Sequence, residues 1–192
     1  MKIILATASP YRIKVFRDAG IEFEAQASEV DEIFKERPKN PSELVGVLAK
    51  LKAQDVAKKY NDGIVIGFDS IGYFDGEILE KPKSEQDAFE RLRRLSGNSY
   101  SFFTGIYMIN KANGKDLARV VKTTAQMRNF SQKEIKNYLR SDSLSLYKTY
   151  AQGFDPVKGI SSTFIKSING SYLNILQGIP LETIVEMLEM IQ

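Results

Sequence analysis

Ile64-Val65-Ile66-Gly67-Phe68 is the most strand-like run of the chain, and a carboxylate, Asp69, stands at its carboxyl end. A short apolar run of this kind reads as a buried strand. The carboxyl ends of such strands are where α/β sheets place ligand sites. Lys2 to Ala6 reads as a second buried strand. Ser9-Pro10 then opens a helix, with Ser9 as N-cap and Pro10 at the first helical position, and Gly20 closes it. A strand is expected from Ile21 to Ala27. A long helix is expected from about Ser42 to Tyr60, with Leu44, Leu48, Leu51 and Val56 on one stripe.

Further along, strands come in pairs. Ile71 to Leu79 reads as a hairpin turning at Asp75-Gly76, and two long strands, Tyr100–Ile109 and Leu117–Arg128, flank Asn113-Gly114. Helices are expected up to Leu95 behind Ser84 and Asp87, and up to about Arg140 behind Ser131 and Glu134. Ser141–Gly159 is less regular, Thr163–Ile168 reads as a strand, and Leu181–Ile191 as the closing helix. Alternation followed by pairing argues for an α/β fold with a mixed sheet flanked by helices. There is no internal repeat and no linker long enough to divide independent domains, so a single domain over residues 1–192 is expected.

Two absences bound the chemistry. The 192 residues include no His and no Cys. Without them there is no Ser-His-Asp triad, no thiol nucleophile, no thiolate or imidazole zinc site and no disulfide. Catalysis must run on Asp, Glu, Lys, Arg, Tyr, Ser or a hard metal ion held by oxygen, and Mg²⁺ or Mn²⁺ with a phosphate substrate is the natural match. A net charge of +3 is too small to argue for nucleic-acid binding. No apolar run approaches the roughly 18–20 residues that span a bilayer. The apolar start Met1–Ala6 is too short for a signal peptide, so a cytoplasmic protein is expected.

Four places gather polar residues at expected strand and helix ends. The turn Ala8-Ser9-Pro10-Tyr11-Arg12 offers first-turn amides and a guanidinium to an anion, or else Ser9 is only a cap and Arg12 is solvated. Asp31-Glu32 reads either as a metal-ligating pair or as a solvated acidic turn. Lys52 stands on the long helix among Lys50, Lys58 and Lys59, where a surface lysine is the ordinary reading. Phe68-Asp69-Ser70 is followed, after the hairpin, by Glu80-Lys81-Pro82. Buried without a partner Asp69 would be costly, so a cation, a donor or a solvent-filled cleft is expected beside it, unless it merely caps a turn.

Taken together, these residues resemble a known family. Leu5-Ala6-x-Ala8-Ser9-Pro10-x-Arg12, Asp31-Glu32, Leu48-Ala49-x-x-Lys52-Ala53, Asp69-Ser70, Lys81-Pro82 and Leu95-Ser96-Gly97 are similar to the Maf family. So are Thr104-Gly105, Ile168-x-Gly170-Ser171-Tyr172 and Gly178-Ile179-Pro180-Leu181, in the same order over nearly the whole chain. The resemblance implies an elongated, twisted mixed sheet, two lobes around a deep cleft, and commonly a homodimer. It implies a nucleoside triphosphate pyrophosphatase that needs a divalent cation, Mg²⁺ or Mn²⁺, and yields the monophosphate and pyrophosphate. Asp69 matches the family's catalytic aspartate, the general base for the attacking water. Ser9, Arg12, Lys52 and Lys81 match the lining of its phosphate site, and Asp31 and Glu32 match the acidic pair that would hold the metal together with Asp69.

The chain also departs from the family pattern. Members acting on dTTP and UTP usually carry Arg after the Ser-Pro and Thr after the aspartate, where this chain has Tyr11 and Ser70. Tyr11 offers a base an aromatic face, or packs on the helix flank. The family's Gln-Gly before the late strand aligns, with a gap, either with Gln152-Gly153 or with Lys158-Gly159. Two other readings stand beside the enzyme: an inosine/xanthosine triphosphate pyrophosphatase, and a nucleotide-binding regulator, since the family name comes from an association with septum formation.

Overall fold

The computed structural model describes residues 2–33, 36–141 and 146–192. In chain order these form β1 (Ile3–Ala6), α1 (Pro10–Asp18), β2 (Glu24–Ala25), α2 (Pro41–Ala57), β3 (Ile64–Phe74), β4 (Glu77–Leu79), α3 (Glu85–Leu95) and β5 (Ser99–Asn110). Then come β6 (Asp116–Met127), α4 (Gln132–Ser141), β7 (Ile165–Asn169), α5 (Tyr172–Gln177) and α6 (Leu181–Met190). The strands make one seven-stranded sheet in the order β2-β1-β3-β5-β6-β7, with β4 on β3. β1 runs parallel to β2 and β3, whereas β4 on β3 and β7 on β6 are antiparallel. The sheet is mixed, as the order of helix and strand signals implied. Among the described residues no helix is long and apolar enough to cross a membrane.

Two compact units share the chain. The first comprises Met1–Ser70, Phe103–Val121 and Gln177–Gln192, the second Ile71–Phe102 and Lys122–Leu176. In the first, α1 starts where it should: Ser9 Oγ accepts from the Arg12 amide at 3.5 Å, and Pro10 opens the helix. Its end is a Schellman turn, with Gly20 at φ +69°, Gly20 N donating to Arg17 O and Ile21 N to Phe16 O. That closure corrects the expectation of a seven-residue strand from Ile21, because the Ile21 amide is already used by the helix. The strand is short: Glu24 and Ala25 are in register with Ile4 and Leu5 of β1, and the Gln26 amide donates to Leu5 O at 3.0 Å.

α2 lies against the strands of this unit more closely than a side chain would permit. A Cβ on Gly67 of β3 would stand 2.1 Å from the Ala49 carbonyl oxygen and 2.6 Å from the Ala53 amide. One on Gly105 of β5 would stand 2.2 Å from the Val45 carbonyl oxygen. Glycine on the strands and Ala49 and Ala53 on the helix are what allow this approach. Leu44, Val45, Leu48 and Val56 bury the rest of that face.

The second unit has its own core, in which Phe164 stacks on Phe130 (centroids 4.5 Å apart) and meets Tyr138 and Phe154 edge-on. α3 begins with Ser84 Oγ accepting from the Asp87 amide. Before α4, Ser131 and Glu134 form a reciprocal capping box, at 3.2 Å and 2.8 Å. One further expectation is corrected, and one element is added. β3 does not stop at Phe68 but continues to Phe74 and turns at Asp75-Gly76, so Asp69 lies within a strand and not at its end. A short helix, α5, occupies the stretch after Gly170, capped by Ser171 Oγ accepting from the Asn174 amide. The irregular segment expected over Ser141–Gly159 falls partly outside the described residues, and its described part holds a 3₁₀ turn at Leu146–Lys148.

Because a Cβ at residue 67 meets helix backbone and not the tip of a flexible side chain, Gly67→Ala is expected to destabilise the protein by about 1–3 kcal/mol, the usual cost of overpacking. Urea denaturation of the two proteins measures it. A change under about 0.5 kcal/mol, the range of an ordinary surface substitution, would show that α2 is free to move away.

Candidate active site

The α2 contact that requires Gly67 also delivers Lys52. Lys52 lies between Ala49 and Ala53, the residues that touch Gly67, and Asp69 lies two residues beyond Gly67 on the same face of β3. The Lys52 ammonium donates to Asp69 Oδ1 at 2.7 Å, and Glu32 Oε1 stands 2.7 Å from the same nitrogen. The side chains of Lys52 and Asp69 are 11% and 9% exposed, whereas that of Glu32 is 56% exposed. One buried cation therefore joins a buried carboxylate to an open one. Burial pushes the Asp69 carboxyl above the usual carboxylate range; Lys52, and more weakly Arg12, pull it back.

Glu32 comes from the acidic turn after β2, which is tied to α2 by the Glu29 amide donating to Asp55 Oδ2 at 3.0 Å, and to the turn just after α2 by Lys59 at 3.2 Å from Glu29. Asp31 is exposed, and its Oδ1 accepts from the Ile33 amide at 2.9 Å within the turn. Glu32 and Asp69 meet at Lys52. Among the described residues no group of three or more carboxylates converges.

Arg12 forms a second, half-buried centre. Its Nε donates to Gly178 O (3.3 Å), Nη1 to Phe68 O (3.2 Å) and Nη2 to Ser70 Oγ (2.7 Å). Past Gly67, the last β3 residue paired with β1, the Phe68 carbonyl thus finds its partner in a helix side chain. Ser70 Oγ lies 2.8 Å from the fully buried Thr104 Oγ1 and 3.4 Å from Gly178 O. Gly178 has φ +67°, and a Cβ there would stand 3.2 Å from Ser70 Oγ. Burial lowers the Arg12 pKa, against Asp69 and Glu32; a guanidinium stays protonated regardless. These contacts use three of its five donors.

Ser9 and Tyr11 are half-buried in the first turn of α1. The other three residues singled out in the sequence belong to the second unit. Lys81 and Lys158 are exposed. Gln152 is 1% exposed, donates to Phe154 O at 3.3 Å, and has an Oε1 with no hydrogen-bond partner.

The family model for Maf-like proteins matches residues 2–191. The chain belongs to the Maf family. Among curated relatives, this Maf chain is 34% identical to the dTTP/UTP pyrophosphatase of Clostridioides difficile, over 98% of this chain and 94% of that protein. It is also 34% identical to the dTTP/UTP pyrophosphatase of Dictyoglomus thermophilum, over 94% and 91%. A solved dITP/XTP pyrophosphatase of Mycobacterium abscessus overlaps 68% of this chain and 76% of its own at a TM-score of 0.44 and 13% identity, too partial a likeness to carry weight.

Lys52, Asp69, Glu32, Arg12 and Ser70 stand out in the sequence by their chemistry, whereas Gly67, Thr104 and Gly178, which hold them, do not. A glycine inside an otherwise apolar strand run was the available signal for a close backbone approach.

Removal of Lys52 should reveal the cost of burying Asp69. With its folded pKa raised, Asp69 holds its proton longer in the native than in the unfolded chain, so its ionisation weakens folding as pH rises through the carboxylate range. Without Lys52 that weakening grows. Lys52→Met should be destabilised by about 3–5 kcal/mol at neutral pH, the scale for a broken buried pair. The deficit should shrink toward about pH 4, as Asp69 is neutralised in both proteins. Urea titrations across pH test this, and a deficit independent of pH would contradict it.

Proposed function

We propose that this chain is a nucleoside triphosphate pyrophosphatase, converting a triphosphate and water to the monophosphate and pyrophosphate. The observation that carries the reading is the buried Asp69 carboxylate held at 2.7 Å by Lys52. A chain without His or Cys must use such a group to take a proton from water, and a module that only binds nucleotides has no need of it. Membership of a family whose similar members are named dTTP/UTP pyrophosphatases supports the same reaction.

In this reading Asp69 accepts the proton of the attacking water, and Lys52 keeps it ionised and in place. Arg12 offers its two remaining donors to phosphate oxygens, and Ser9 adds the first turn of α1. Ser70 acts through Arg12, because its hydroxyl is already shared among Arg12, Thr104 and Gly178. Lys81 and Gln152 are assigned to substrate binding, with Lys158 the other candidate for the late position. Carboxylate oxygens are the ligands a hard divalent cation takes, and Glu32 and Asp69, which meet at Lys52, would hold it with Asp31, the next residue in the chain to Glu32. Bound there, Mg²⁺ or Mn²⁺ would neutralise triphosphate charge. Cytoplasmic location, a homodimer and one domain over 1–192 complete the proposal and rest on the resemblance and the composition.

The substrates proposed first are dTTP and UTP, with a broader preference than theirs because Tyr11 gives a base a stacking face where pyrimidine-selective members carry Arg. Pyrophosphate release from UTP, dTTP, CTP, GTP and ITP tests the whole reading. Asp69→Asn should lower kcat by roughly 10²–10⁴-fold, the range for general acid–base catalysis, with a smaller change in KM. Excess EDTA should abolish turnover and Mg²⁺ or Mn²⁺ should restore it, while Tyr11→Arg should narrow the profile toward UTP and dTTP. Near-normal turnover in Asp69→Asn, or no pyrophosphate from any triphosphate, would refute the assignment.

A further inference from the structure

In the second unit, one arginine that the mechanism does not use fastens together the two segments assigned to substrate binding. Arg91 Nη1 donates to Glu80 O at 2.9 Å and to Ala151 O at 2.5 Å. Those carbonyls belong to the residues immediately before Lys81 and Gln152. The same turn of α3 holds the far side of the Lys81 segment, where Asp87 Oδ2 accepts from the Lys83 amide at 3.0 Å. Asp87 Oδ1 lies 3.9 Å from Arg91 Nη2. Lys81-Pro82 is thus pinned at both ends by an i,i+4 pair on one helix.

The two segments also pack on each other. Gly153 has φ +84°, and a Cβ on it would lie 3.5 Å from Pro82 Cγ and 3.7 Å from Arg91 Cγ. Pro82 and Gln152 are buried, and the Arg91 side chain is 13% exposed. Its shortest contacts are to the two main-chain carbonyls, at 2.5 and 2.9 Å, against 3.9 Å to the Asp87 carboxylate, which places it for its hydrogen bonds as much as for its charge.

We propose that Arg91 is a positioning residue that sets Lys81 and Gln152 relative to each other, so that the segment assigned to phosphate and the segment assigned to the late specificity position move as one piece. The proposal rests on the reading of Lys81 and Gln152 as substrate-binding residues. Arg91 itself touches main chain and acts through them. Losing it unpins both segments, and small misplacements of binding groups are expensive in rate.

The test is pyrophosphate release from UTP with Mg²⁺ by the full chain and its variants, each checked for folding by urea denaturation. Arg91→Met should lower kcat/KM by roughly 10–100-fold, the scale of such misplacement. Arg91→Lys, which keeps a cationic donor for the two carbonyls, should recover most of the loss. In a background that carries both Lys81→Ala and Gln152→Ala, Arg91→Met should cost less than about threefold, because both residues it positions are gone. Near-wild-type kcat/KM in Arg91→Met, a loss that follows the unfolded fraction, or a loss that multiplies in full with that of the paired Lys81→Ala and Gln152→Ala change would each overturn the positioning role alone. If Lys81→Ala and Gln152→Ala were themselves without effect, the reading of those residues as substrate ligands would fall, and the role of Arg91 with it.

Discussion

The first unit depends on how closely α2 can approach its strands. At Gly67 and Gly105 the helix backbone occupies the space that a Cβ would take. That contact does more than close a core. It fixes the depth of α2 against β3, and hence whether the Lys52 ammonium meets the Asp69 carboxylate or falls short of it. The glycine, the two alanines and the ion pair are consecutive consequences of one packing decision, and a methyl group at residue 67 would disturb all of them.

Asp69 and Arg12 are compensated differently. Asp69 is compensated by a cation, and Lys52 reaches out to the open Glu32 as well, so the negative charge of the pair exceeds the positive one. Arg12 is compensated mainly by dipoles: two carbonyls and the Ser70 hydroxyl hold it, and Thr104 and Gly178 hold Ser70. Dipoles leave the full positive charge of the guanidinium available to an anion, whereas a carboxylate at hydrogen-bonding distance would cancel it.

Much of this was legible in the chain because the signals were local. Ser9-Pro10, Ser131 with Glu134 and Asp75-Gly76 each act within a few residues, and each is found doing what its sequence implied. The extent of β3 was not legible, since its continuation through Asp69 and Ser70 depends on partners distant in sequence. β2 was overestimated because the Ile21 amide bonds back to α1, a competition that strand propensity does not register. The residues that carry chemistry stood out by type, but the ones that hold them did not. Thr104, Gly178 and Arg91 work through a buried hydroxyl, a left-handed turn and main-chain carbonyls, and none of these is visible before the chain is folded.

The central claim is that Lys52 and Asp69 act as one unit in catalysis, with the ammonium keeping the carboxylate ionised and oriented. A double-mutant cycle in kcat/KM tests it most directly, comparing the wild type, Lys52→Met, Asp69→Asn and the double variant. The account predicts that the double variant is no more than about threefold worse than the poorer single variant, as for residues that serve a single function. Losses that multiply in full would show that the two residues act independently, and would contradict it.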